Sequence, residues 1–133
     1  MAQFARPDAD VQLDGWTDPS FSVIDEVVAD DGDKTVSPLA PTADTLIVGL
    51  SDVEDPQVDT GHIVRYRYQK NAAGGAQIDL DVRLLQTAVE IAAWNHTNIA
   101  NGWTTAAQTL SAPQAQSISD YTALRLEFKA NQI

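Results

Sequence analysis

Asp79 and Asp81 stand two residues apart in Gln77-Ile78-Asp79-Leu80-Asp81-Val82, so on a strand both carboxylates share one face, roughly 7 Å apart. Inverting glycosidases use carboxyl pairs spaced about 6.5–9.5 Å. The competing account is electrostatic. Arg65 and Arg67 carry the same two-residue spacing, and on a partner strand they would ion-pair with both aspartates on a solvated surface. Periodic pairs of this kind are more often pattern than site.

Other chemistry is thinly represented. The histidines are His62 and His96, each at a strand end, and no Gly-x-Ser-x-Gly elbow nominates a serine nucleophile. Asp30, Asp31 and Asp33, with Asp25 and Glu26 nearby and Gly32 in the turn, supply the oxygens that Ca²⁺ prefers. The spacing departs from the EF-hand loop and lacks its closing Glu, so a solvated acidic turn is the expectation. Gly74-Gly75 is followed by neither a helix nor a Lys and reads as a hairpin turn, not a phosphate loop. Trp16, Trp94 and Trp103 could stack on sugar rings or pack in a core or an interface. Trp94 shares parity with Glu90 and His96, opposite Val89 and Ile91, so it is expected to face outward and to meet a carbohydrate or protein partner.

The elements that must position these groups are strands. Val64, Tyr66 and Tyr68 alternate with Arg65 and Arg67; Ile78, Leu80, Val82 and Leu84 alternate with Gln77, Asp79, Asp81 and Arg83. The two runs read as an antiparallel hairpin closed by residues 71–75. Further strands are expected over 89–94, 103–110 and 124–130, the last with Leu124, Leu126, Phe128 and Ala130 inward and Arg125, Glu127 and Lys129 outward. Ser111 followed by Pro113 caps a short helical turn reaching Ile118. In the first half, 21–28 and 45–50 read as strands, separated by an acidic loop and the Pro38-Leu39-Ala40-Pro41 segment, whose prolines exclude central pairing. Residues 1–15 lack a strong periodic run and are read as an extended N-terminal arm ahead of one domain spanning 16–133. About seven or eight short strands with almost no helix predict an all-β antiparallel sandwich, jelly-roll-like in topology.

Composition bounds the partners. The 133 residues suit one domain, and the absence of cysteine removes disulfide and thiolate chemistry. Residues 1–60 hold 14 acids against 2 bases, a net of −12; the remainder holds 5 against 6, a net of +1. A chain of net charge −11 is a poor match for nucleic acid or an anionic membrane surface, and no apolar run is long enough to span a bilayer or act as a signal peptide.

Several stretches together resemble a β-sandwich domain of tailed-bacteriophage and prophage virion proteins. They include Ala5-Arg6-Pro7-Asp8-Ala9-Asp10 with Gly15-Trp16-Thr17, Ile24-Asp25-Glu26-Val27, Val48-Gly49-Leu50-Ser51, Gly61-His62-Ile63-Val64-Arg65-Tyr66-Arg67-Tyr68, Asp79 to Gln86, Thr104 to Leu110 and Ile118 to Leu126. The short Phe21-Ser22-Val23 departs from the longer polar or aromatic segment frequent at that place. The resemblance implies a non-enzymatic structural protein without cofactor or catalytic residues, of the head-decoration (cement) or tail- and fibre-module type. A chain that opens on its own Met and ends close to its last strand is expected to be a stand-alone decoration protein on the capsid exterior, made in the host cytoplasm. Its expected partners are the phage major capsid protein and further copies of itself, as a homotrimer or another homo-oligomer. Contacts are expected through Phe4, Arg6, Val11, Trp16, Trp94 and Trp103, with a glycan as the alternative partner.

Overall fold

A computed structural model describes residues 3–17, 20–24, 32–71 and 76–133. It contains β1 (Pro7–Gln12), a 3-10 turn (Phe21–Val23), β2 (Thr42–Leu50), β3 (Ile63–Tyr68), β4 (Ile78–Gln86), β5 (Val89–His96), β6 (Thr104–Thr109), α1 (Ala112–Gln116) and β7 (Leu124–Gln132). The fold is all-β and sandwich-like, with antiparallel sheets that do not close into a barrel. One sheet has the order β1-β2-β7-β4-β5, and β3 pairs with β6 in a two-stranded ribbon.

The pairing is nested: β4 with β5, β3 with β6, and β2 with β7. This is one long hairpin folded over, and pairing of β4 with β7 rolls it up in the manner of a jelly roll. Two sequence expectations change. The alternating runs at 63–68 and 78–84 do not form a hairpin with one another, because β3 lies in the ribbon and β4 in the larger sheet. Their period-two pattern fixes which side chains face the core, and it is equally satisfied by either pairing. The expected Gly74-Gly75 turn lies outside the described residues. The segment read as an arm is extended, but from Pro7 to Gln12 it pairs with the chain's own β2, with two register irregularities.

The expected strand at 21–28 begins instead as the 3-10 turn, while residues 25–28 lie outside the described set. The Asp10 carboxylate accepts hydrogen bonds from the Ser20 and Phe21 amides and so holds this turn against β1. The short helix forms as expected: the Ser111 hydroxyl accepts from the Gln114 amide, and the Gln114 side chain accepts from the Ser111 amide.

The core lies between the sheets. Leu46, Val48 and Val82 are fully buried, joined by Leu80, Leu84, Leu124, Leu126, Tyr66 and Ala106, with Leu110, Ala115 and Ile118 closing one end.

Candidate functional site

Among the described residues the ribbon is narrower than the five-stranded sheet, and a groove of about 980 Å³ opens beside it. Its floor is the inner face of the larger sheet, including Leu80, Leu84, Leu126, Phe128 and Ala130. One bank is β3. Both the inward Val64, Tyr66 and Tyr68 and the outward Arg65 and Arg67 border the opening. None of β6 does so, because it covers the opposite edge of β3. The other bank is Asp33–Pro41, with Trp16 beneath it.

That second bank is anchored. The Thr17 amide donates to the Val36 carbonyl, the Val36 amide to the Thr17 hydroxyl, and the Gln132 amide to the Pro41 carbonyl. Gly15 has a φ of +84°, and a Cβ there would lie 2.9 Å from Pro38 Cγ, so glycine permits the close approach. Two apolar side chains stand at the lip, Val36 at 51% and Leu39 at 92% exposure.

Tyr66 and Tyr68 are fixed from behind. Tyr66 Oη lies 2.7 Å from His96 Nε2, and Tyr68 Oη lies 3.0 Å from His96 Nδ1. Gln108 Nε2 donates to Tyr66 Oη at 3.2 Å. A neutral imidazole carries one donor and one acceptor, so one tyrosine hydroxyl donates to the ring and the other accepts from it. Burial favours this neutral form and pushes the His96 pKa down, against a weaker opposing pull from Asp81. Burial likewise raises the Tyr66 pKa, so its hydroxyl stays protonated.

Several residues nominated from sequence lie elsewhere. Trp94 turns inward, contrary to its parity. Leu84 pairs with Ala92 but Leu85 with Glu90, leaving Ile91 as an extra residue in a bulge. Ile91 and Ala92 are both buried, the alternation resets, and Trp94 lies opposite Val82 with its ring 6.3 Å from Tyr66. The signal was the unbroken apolar run Ile91-Ala92-Ala93-Trp94, which departs from strict alternation. Trp16 is half-buried against the core, its Nε1 donating to the Asp44 carbonyl. Trp103 is half-buried at the groove, with the Arg67 guanidinium 5.6 Å from its ring centroid. Phe4 and Val11 are exposed, 60% and 43%, and Arg6 stacks over Phe4 at 5.1 Å.

The pairing of Asp79 and Asp81 with Arg65 and Arg67 is also overturned, since β3 is not their neighbour. Asp81 accepts from Asn95 Nδ2 at 2.6 Å and stands in register with Lys129. Asp79 accepts from the Asn98 amide at 2.8 Å. The ion pair on this outer face is instead Arg83 with Glu127, flanked by Glu90 at 3.5 Å. Glu127, expected outward, points outward yet is only 4% exposed because Arg83 lies over it. Of the calcium candidates, Asp33 borders the groove, while Asp30 and Asp31 lie outside the described residues. Among the described residues no group of three or more His, Asp or Glu side chains is placed to hold a metal ion, and no helix is long and apolar enough to cross a membrane.

The charge asymmetry of the sequence becomes spatial. Residues 3–12 run antiparallel to 47–54, with Gln3 and Glu54 exchanging two hydrogen bonds. Asp8, Val11 and Asp52 thereby border one shallow hollow together with Arg125, and exposed Phe4 stands ahead of β1 beneath the Arg6 guanidinium. The groove is bordered by Lys34, Arg65, Arg67 and Lys70 against one described acid, Asp33. Comparison with protein-family models, curated proteins and solved structures gives no match to this chain.

Proposed function

We propose that the protein is a non-enzymatic structural component of a phage virion, a head-decoration protein that binds the capsid exterior and bridges capsomers. The observation that carries this reading is the β1 edge, where Val11 is exposed beside Asp8 and Asp52 on a strand paired with the larger sheet, with exposed Phe4 just ahead of it. The two register irregularities break the regular spacing of the outer amides, so this edge offers side chains rather than a ladder. Its apolar groups would bury against the shell, and its carboxylates would meet basic capsid residues or coat the particle. Many weak contacts of this kind add up by multivalency across a lattice. The sequence resemblance to virion sandwich domains supports the same reading.

The test is particle occupancy. Glu at positions 4 and 11 (Phe4→Glu with Val11→Glu) is expected to reduce incorporation at least about tenfold while leaving the thermal midpoint within a few degrees. Normal occupancy would overturn the assignment of this edge. The alternative is a carbohydrate-binding or host-recognition module of a tail or fibre, which the half-buried Trp103 at the groove favours. A glycan array with the purified protein separates the two readings, because only the alternative expects a saturable hit that Trp103→Ala removes.

A further inference from the structure

We propose that the loop between β5 and β6 carries a site of spontaneous covalent modification, where Asn101 is converted to aspartate and isoaspartate through a ring closed by the Gly102 amide nitrogen. The chain holds a single Asn-Gly pair, and both of its residues are exposed. Among the described residues, neither the Asn101 carboxamide nor the Gly102 amide is held by a hydrogen bond. A Cβ built at position 102 would meet nothing within 4 Å, so no neighbour crowds the reacting nitrogen. Glycine itself has no Cβ to shield its amide.

The reaction needs only water. The Gly102 nitrogen gives up its proton and attacks Asn101 Cγ; the N–Cγ bond forms, the Cγ–Nδ2 bond breaks, and ammonia leaves with the proton. The product is a succinimide ring. Water then opens it at either carbonyl. Cleavage at Cγ yields aspartate, and cleavage at the main-chain carbonyl carbon yields isoaspartate, in which the backbone runs through the former side chain. Nothing is oxidised or reduced; ammonia is exchanged for water.

Three other described asparagines lack this freedom. The Asn95 carboxamide donates to Asp81 at 2.6 Å. Asn98 is followed by Ile99, whose amide donates to the Ile78 carbonyl at 2.9 Å, and Asn131 by Gln132, whose amide donates to the Pro41 carbonyl at 2.8 Å. A nitrogen that must first give up a hydrogen bond attacks more slowly. At Asn101 the new carboxylate arises beside Ala100, whose carbonyl accepts from the Lys70 amide, and isoaspartate adds an extra main-chain atom there. The loop therefore changes charge and local geometry as the molecule ages.

This inference does not rest on the virion reading and can fail without it. The test is to hold the full, folded chain at mildly alkaline pH and physiological temperature for weeks, following it by anion exchange and peptide mass mapping. Expected is a more acidic form converted at position 101 at least about tenfold faster than at 95, 98 or 131. An isoaspartate-specific carboxyl methyltransferase should label the peptide carrying position 101 in aged protein and not in fresh protein. Gly102→Val, which the open space accommodates, is expected to slow conversion at least about tenfold while leaving the unfolding midpoint within a few degrees. Absence of an acidic form, faster conversion at 95, 98 or 131, or an unchanged rate in Gly102→Val would each overturn the proposal. So would conversion in urea without conversion in the folded chain, which would mean that the loop shields the amide.

Discussion

Trp94→Ala separates the architecture described here from the one that simple alternation predicts. If Trp94 pointed to solvent, its removal would change stability by no more than about 0.5 kcal/mol, as for most surface positions. The bulge at Ile91 instead turns the indole onto the inner face, opposite Val82 and 6.3 Å from Tyr66. Truncating a fully buried Trp costs about 3–5 kcal/mol. Trp94 is only half-buried, so the expected loss is about 2–3 kcal/mol. With a urea slope of about 1–3 kcal/mol per molar, that loss lowers the midpoint by roughly 1–2 M at unchanged slope. Far-ultraviolet circular dichroism is the readout, because it does not depend on the residue removed. Glu90→Ala serves as the control on the outer face, where the carboxylate is half exposed beside Arg83 and a change within about 0.5 kcal/mol is expected. A Trp94→Ala loss as small as that of the control would refute the inward placement and the bulge together.

Arg83→Met leaves the Glu127 carboxylate covered and without its cation, and is expected to cost about 2 kcal/mol by urea unfolding; adding Glu127→Leu should recover most of it. Ser111→Ala removes the acceptor for the Gln114 amide and should lower stability by about 1 kcal/mol in the same assay, whereas Ser111→Asp should retain most of it. The His96 imidazole has a lower pKa folded than unfolded, so between the two values the unfolded chain binds more protons. Its contribution is therefore complete above about pH 6.5 and declines as pH falls from there toward the depressed value. Unfolding free energies measured from pH 7.5 to 5 should show this decline, and His96→Gln should flatten it.

The apolar alternation of β4 and β7 was legible because a strand buried on one face must repeat every two residues. The helical turn was legible because Ser111 and Pro113 act within four residues of chain. The 3-10 turn at Phe21 was not, since the carboxylate that accepts from its first amide is Asp10, eleven residues away on β1. Nor was the burial of Glu127, whose cover comes from Arg83 on the neighbouring strand. The groove was least visible of all, because its lining comes from segments as far apart in sequence as Trp16, Val36, Tyr66 and Phe128.

The all-β class, most strand positions, the capped turn and the concentration of acid in the first 60 residues are all readable from the amino-acid order alone. These follow from short-range rules of side-chain periodicity, capping and charge. Tertiary structure decided which strand lies beside which. Alternation assigns a face but names no neighbour, so β3 could pair with β4 or with β6, and burying the inner face of the wider sheet selects the nested order. That choice separated Arg65 and Arg67 from Asp79 and Asp81 and placed both arginines beside the groove. It also laid the acidic N-terminal strand along the far edge of the sheet.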